Sequence, residues 1–325
     1  MTQKHTSKNI PAYFHIDGKQ FTRIMNASGC CSRYREQLDE LVAGGMTTII
    51  TKSCTLYENR GNPYPNFKEL NAHISINCLG MPNCGFYYYR NLLPSYYMNG
   101  ITYIISMDAS NWNELKIMLL EYDKFIYNMK SKLGIKDKIR EFVEINASCP
   151  NKLDVNTGTT SRIIAYAPIE LSRLLENIKG LNLININIGL KLSPYVDKVL
   201  LEQIANVLIT YSSIVRYIVC GNSIPNGMII NLQTKKPLLS VNTGGISGTA
   251  NRLLGISNVY HFNNIFHSRD SNNPIVIIGC GGIETEDDIL EYLCAGAQCV
   301  QIGRVLYISG VEKCIEINNN LLAKL

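Results

Sequence analysis

Residues 144–151, Glu-Ile-Asn-Ala-Ser-Cys-Pro-Asn, gather a thiol, a hydroxyl and two carboxamides where an apolar run ends. Phe142, Val143 and Ile145 lie in that run, so the polar groups emerge as the chain leaves the core. A cysteine between amide side chains at a strand end can move a proton beside a hydrogen-bonded ligand. Cys149 is the candidate base, and Asn146 and Asn151 can both donate and accept. Taken alone, the stretch fits a free cysteine capping the core at least as well, because packing roles outnumber catalytic ones. The rest of the chain has to decide.

Similar polar tips recur. Asn26 ends one short apolar run, Lys52 and Ser53 end a β-branched one, Lys191 nearly ends another, and Asn222 and Ser223 follow Arg-Tyr-Ile-Val-Cys-Gly. Two lysines and several amides would suit an anionic, planar ligand that forms hydrogen bonds. Gly244 to Gly248, the run Gly279-Cys280-Gly281-Gly282, and Gly303 add glycine-rich turns in the last third. Glycine lets backbone N–H groups approach and cradle a phosphate. The plainer reading is a set of tight turns that need positive φ.

The elements that must position these residues alternate. Helical spacing is expected over 33–43, 86–97, 111–133, 168–178, 197–210, 249–262, 285–295 and 311–322. Strands are expected near 21–28 and over 47–53, 101–108, 142–148, 187–193, 216–223, 274–282 and 299–303. Residues 58–82 and 224–242 are too long for plain turns and read as insertions with hairpin character. Pro168 stands at the start of its helix, and the Thr-Glu-Asp-Asp run from Thr285 opens another with good capping chemistry. About eight mostly continuous apolar strands alternating with eight helices point to a (β/α)8 TIM barrel, one domain over residues 1–325 with hairpin insertions at its mouth. In that fold every strand's C-terminal end opens on one mouth, and the loops after the seventh and eighth strands form its usual phosphate site.

Composition narrows the function. The chain has 325 residues, 46% hydrophobic, with a net charge of +5, and its basic residues are scattered rather than massed in a nucleic-acid arm. None of its 11 cysteines forms a C-x-x-C pair and it has only 5 histidines, so no metal site is expected. The first residues lack the apolar core of a signal peptide, and no apolar run approaches membrane-spanning length. A cytoplasmic protein with reduced thiols and no membrane partner is therefore expected.

Nine linked stretches, MNASG, TKSCT with RGNPYP, SINCLGMPNCGFYYY, EINASCPN, GLKLSPY, CGNSIPNG, TGGISG, IIGCGGIETEDD and VQIGR, run in order from Asn26 to the last helix. In this order they resemble the class 1 dihydroorotate dehydrogenases, and the soluble class 1A branch in particular. The resemblance implies an FMN-containing barrel that oxidises dihydroorotate to orotate in pyrimidine biosynthesis. It places Cys149 as the base that takes the C5 proton while a hydride leaves C6. It puts Lys52, Asn77, Asn146, Asn151, Asn222, Ser223 and the backbone at Leu79, Gly80 and Met81 around the substrate, and Lys191 beside the flavin where negative charge accumulates. Ala27, Gly29, Lys52, Ser53, Asn146, Gly221, Gly248, Gly281, Gly282, Gly303 and Arg304 map to flavin contacts. Residues 152–162 correspond to a mobile lid. Class 2 enzymes use serine as the base and carry a membrane-associating extension. Class 1B enzymes work with a partner subunit holding FAD and an iron–sulfur cluster, and Met81-Pro82-Asn83 is closer to the class 1A pattern. The resemblance thus implies fumarate, reduced to succinate, as the acceptor, and a homodimer.

Two stretches depart from the family pattern. Arg304 stands where a small hydroxyl residue is usual, and residues 152–162 lack the lid's prolines. Two other readings follow: a flavin- or ligand-binding homologue with impaired turnover, and a phosphate-binding barrel lyase or isomerase using Lys191 as a Schiff-base lysine.

Overall fold

The computed structural model describes residues 13–29, 31–148, 163–269 and 272–324. Within them, eight parallel strands form a barrel: Ile24–Asn26, Thr48–Ile50, Thr102–Asp108, Glu141–Asn146, Ile186–Leu192, Val215–Cys220, Val276–Cys280 and Cys299–Ile302. The backbone ladder runs from the first strand to the eighth, then back through the seventh, sixth, fifth, fourth and third to the second. A side chain joins the remaining seam. The Asn26 amide donates to the Ile50 carbonyl (2.7 Å) and accepts from the Ile50 N–H (2.8 Å), as a neighbouring strand would. Asn26, a polar tip in the sequence, thus closes the barrel rather than facing a ligand.

A helix follows each strand: Arg35–Ala43, Phe86–Met98, Trp112–Lys132, Pro168–Gly180, Lys198–Thr210, Arg252–Arg269, Glu286–Cys294 and Arg304–Lys324. Burial of both sheet faces explains the continuous apolar strands. The larger core lies between strands and helices and includes Tyr103, Leu115, Leu190, Ile218, Phe262 and Tyr292. The smaller one fills the barrel and includes Met25, Ile104, Phe142, Tyr217, Val219 and Ile278. The capping box at Thr285 forms as the sequence indicates: its hydroxyl accepts from Asp288 N–H while Asp288 accepts from Thr285 N–H. The last helix begins seven residues earlier than expected and is broken at Gly310 (φ 74°), so the apolar spacing showed only its second part.

Two features were not anticipated. An N-terminal hairpin, Tyr13–Ile16 with Lys19–Thr22, turns at Asp17-Gly18 and seats Ile16 and Phe21 in the barrel interior. Phe21 packs edge-on against Phe142 with ring centroids 5.0 Å apart. Asp17 accepts from Asn187 Nδ2 (3.1 Å) and Arg216 Nε (2.6 Å) near the starts of two strands, so the hairpin closes the end opposite the mouth. The second feature is a correction. Residues 243–248, Thr-Gly-Gly-Ile-Ser-Gly, form a strand and not a βα turn. It pairs antiparallel with Ile224–Met228 on one side and Ile74–Asn77 on the other, and Phe67–Asn71 completes the sheet. The two expected insertions are therefore one four-stranded sheet beside the mouth. Glycine is needed here for close approach: a Cβ on Gly245 would overlap the Ser223 hydroxyl, and one on Gly244 would lie 2.5 Å from the Asn77 carbonyl oxygen.

Candidate functional site

The polar strand tips form one hydrogen-bonded network. Asn146, at the end of the fourth strand and 7% exposed, donates from Nδ2 to the Ser53 hydroxyl (3.1 Å) and contacts Met81 Sδ (3.7 Å). Ser53 in turn contacts Ser28 (3.0 Å) and Ser106 (2.9 Å) through their hydroxyls. The Oδ1 of Asn146 accepts from the Ser148 N–H (3.2 Å) and hydroxyl (3.0 Å). Asn222, beyond the sixth strand, donates to the Ser148 hydroxyl at 2.7 Å. Its carbonyl accepts from the Asn251 amide (3.2 Å), and Asn251 lies against Gly281. Groups from the ends of the first, second, third, fourth and sixth strands thus share one chain of donors and acceptors with the glycine turn of the seventh.

Lys52 is buried beside Gly29, where an added Cβ would come 4.0 Å from its Nζ. The antiparallel sheet brings its own groups. Asn77 pairs with Gly245 and reaches that residue's carbonyl (3.5 Å), while Ser223 fills the space above Gly245. Met81 (φ 56°) and Gly80 (φ 71°) make the left-handed turn that brings Met81 to Asn146. The Leu79 carbonyl accepts from Asn62 N–H and the Gly80 carbonyl from Asn59 Nδ2, so both oxygens already carry a hydrogen bond. The Ala27 N–H donates to the Ile302 carbonyl (2.7 Å), which ties the first strand's tip to the eighth next to Gly303.

The late glycine turns offer bare backbone. Gly281 (φ 127°) and Gly282 (φ 65°) adopt conformations that L side chains rarely take, and a Cβ on Gly282 would lie 2.8 Å from the Gly248 carbonyl. Gly221 packs against Pro194 and donates to the Cys280 carbonyl. Arg304 opens the last helix. Its terminal nitrogens reach Glu284 (3.3 Å) and the Asn71 carbonyl (3.3 Å). Its Nε–H is buried with no hydrogen-bond acceptor among the described residues. An orphaned charged donor beside bare glycine backbone, at a helix N-terminus, has the character of a phosphate seat.

One layer below the tips, the barrel interior holds charge. Lys191, 3% exposed, donates to Gln301 Oε1 (3.2 Å), and Gln301 Nε2 donates to Glu144 Oε2 (2.6 Å). The Tyr217 hydroxyl approaches the same carboxylate oxygen at 3.5 Å. Gly189 makes this possible, because a Cβ there would overlap the Tyr217 ring. Burial pushes the Glu144 carboxyl above its ordinary range, opposed by the Lys191 charge and by hydrogen bonds from Gln301 and Tyr217.

Cys149, Asn151 and residues 152–162 lie outside the described residues, although Ser148 leads directly into Cys149. The structure adds Ser106, Asn251, Glu144 and Gln301 to the residues singled out from sequence, and gives the Ser148 hydroxyl its partners. Glu144 and Gln301 did leave a signal: each interrupts an otherwise apolar strand, and such residues are seldom fully buried without a partner. Among the described residues no group of three or more metal-ligating side chains forms, and no helix is long and apolar enough to cross a membrane.

Comparison with known proteins agrees with this architecture. The family model described as Dihydroorotate dehydrogenase matches residues 14–325. A dihydroorotate dehydrogenase (fumarate) of Lachancea kluyveri is 33% identical over 297 residues, covering 89% of this chain and 85% of the relative. A dihydroorotate dehydrogenase A (fumarate) of Lactococcus lactis subsp. cremoris is 31% identical, covering 88% and 85%. A probable dihydroorotate dehydrogenase A (fumarate) of Streptococcus pneumoniae is 29% identical, covering 95% and 91%. On this match over nearly its whole length, the chain belongs to the dihydroorotate dehydrogenase family.

Proposed function

We propose that this protein oxidises (S)-dihydroorotate to orotate in pyrimidine biosynthesis, with FMN as its resident cofactor and fumarate as the oxidant. The observation that carries the reading is the continuous Ser53–Asn146–Ser148–Asn222 network at the barrel mouth. It presents amides and hydroxyls to a planar, polar ring. The fumarate-type relatives support the choice of oxidant.

The residues present fit FMN. The orphaned Arg304 Nε–H and the bare backbone of Gly281 and Gly282, with Gly248 and Gly303 alongside, would hold its phosphate. Ala27, Gly29, Ser53, Asn146 and Gly221 would line its ring system. When bound, FMN supplies the acceptor for the hydride that leaves C6 of the substrate. Cys149 takes the C5 proton. Its thiol has an ordinary pKa of ~8.5, and a nearby cation such as Lys52 favours the thiolate. Lys52 also meets the substrate carboxylate. Asn77, Asn146, Asn151 and Asn222 orient the ring, with Ser223 and the backbone of Leu79, Gly80 and Met81 bounding it. Lys191 stabilises negative charge as it develops.

A lyase or isomerase using Lys191 as a Schiff-base lysine fits the site less well, because Lys191 is buried and engaged by Gln301. A homodimer in the cytoplasm belongs to the same proposal. The test is an absorbance spectrum of the purified protein taken without oxygen. A flavin spectrum that bleaches on adding dihydroorotate and returns with fumarate, but not with NAD, is expected. A colourless protein, or a flavin that dihydroorotate leaves oxidised, overturns the assignment.

A further inference from the structure

The barrel interior carries a buried carboxyl that the proposed reaction does not use. Glu144 and Gln301 are 0% and 1% exposed, and Glu144 Oε1 has no hydrogen-bond partner among the described residues. Yet this carboxyl is joined to Lys191 through a single amide. The order of that chain is fixed by chemistry. An ammonium can only donate, so it must meet the amide oxygen of Gln301. The amide nitrogen is then turned to Glu144, which accepts. Gln301 therefore couples two opposite buried charges without letting them collapse into a direct pair.

We propose that Glu144 and Gln301 are positioning residues that hold Lys191 in place, balance its charge, and thereby set the reduction potential of the flavin that Lys191 serves. The inference rests on the FMN-dependent reading above. Two-electron reduction leaves the flavin more negative, so a cation nearby favours the reduced form and raises the potential. An anion behind that cation weakens its field, and low-dielectric surroundings make the effect larger than at a surface. Removing the anion should therefore raise the potential. A carboxyl at position 301 would share one proton with Glu144 and bring the pair's negative charge into direct contact with Lys191, which should lower it.

Glu144 faces Lys191 from the fifth strand, Tyr217 from the sixth, and Gln301 and Cys299 from the eighth. Of these, Lys191 is the cation. Protonating Glu144 in acid should therefore act on the flavin as its replacement by glutamine does.

The test measures the flavin midpoint potential by dye-coupled reductive titration in the parent protein, Glu144→Gln and Gln301→Glu. Both changes keep side-chain size. The expected result is an upward shift in Glu144→Gln and a downward shift in Gln301→Glu. The gap between parent and Glu144→Gln should close as pH falls. Opposite signs from two isosteric changes would not arise from a packing defect. If Glu144→Gln fails to hold flavin, the direction in Gln301→Glu decides. Unchanged potentials, or shifts of the same sign, overturn this inference while leaving the flavin assignment intact. A parent protein without flavin overturns the assignment and the inference with it.

Discussion

Ser148 is the residue through which the two central asparagines touch, and replacing it with alanine isolates what that contact does. In Ser148→Ala, Asn222 loses the acceptor of its 2.7 Å hydrogen bond, and Asn146 loses one of the two donors to its Oδ1. Asn146 keeps the Ser148 N–H at 3.2 Å and its own bond to Ser53. Asn222 is only half-buried, so water recovers part of its loss. Two hydrogen bonds at about 1 kcal/mol each, one of them partly compensated, give a stability loss of about 1–2 kcal/mol. At roughly 2–4 °C per kcal/mol for a large domain, the melting temperature should fall by a few degrees.

The functional effect should be larger than that figure suggests, because Asn222 loses the bond that orients it while Asn146 is held by one bond fewer in the same step. A loss of about 1.4–2.8 kcal/mol in transition-state stabilisation is a fall of about 10- to 100-fold in kcat/KM for dihydroorotate. Orotate affinity, read from the shift it causes in the flavin spectrum, needs no proton transfer and reports the asparagines alone. It should weaken in parallel. If kcat/KM stays within about twofold of the parent, the network does not orient the substrate. If kcat falls while orotate binds as before, Ser148 acts through the adjacent Cys149, and the account given for the asparagines is wrong.

Cys149→Ala should retain FMN and orotate binding yet lose nearly all dihydroorotate oxidation at neutral pH, since general-base removal commonly costs 10²- to 10⁴-fold; near-normal turnover would take Cys149 out of the mechanism. Gly189→Ala should drive a methyl into the Tyr217 ring, which also packs against Phe21 and Phe142. Overpacking of this kind costs about 1–3 kcal/mol, and thermal melting should fall by roughly 3–10 °C; an unchanged melt would mean that the ring has room to move.

The barrel was readable from sequence because its strands are buried on both faces and therefore nearly continuous in apolar residues. The run from Thr102 to Asp108 shows this well, with every residue buried. The N-terminal hairpin went unread although Asp17-Gly18 is a strong turn signal. Its flanks bury only Ile16 and Phe21, too few for an alternation to stand out. Residues 243–248 were misread because glycine usually marks a turn. Here it lets a strand approach partners about 170 residues earlier in the chain, and that pairing leaves no local trace. At the site, residue types at strand ends showed which groups could meet, and the family resemblance supplied their roles. What neither supplied was the connecting chemistry. Asn251 is unremarkable in sequence, and Ser148 and Gln301 show there as polar residues without a partner; all three matter through what they touch.

The polar layer inside the barrel costs stability. A fully buried carboxyl with one oxygen unpartnered loses its hydration, and a neighbouring amide returns only part of it. Apolar residues of similar volume at such positions are often neutral or stabilising in other proteins. Much of this interior is filled in that apolar way, with Phe142, Ile104 and Ile278 in one cluster with Tyr217. Folding alone therefore does not call for Glu144. Glu144 lies two residues before Asn146 on the same strand, where it can act on Lys191 while the hairpin side chain of Phe21 closes the opposite end. The arrangement divides the work: the outer core and the plugged end supply stability, and the layer between them and the mouth carries the electrostatic load that we propose acts on the flavin.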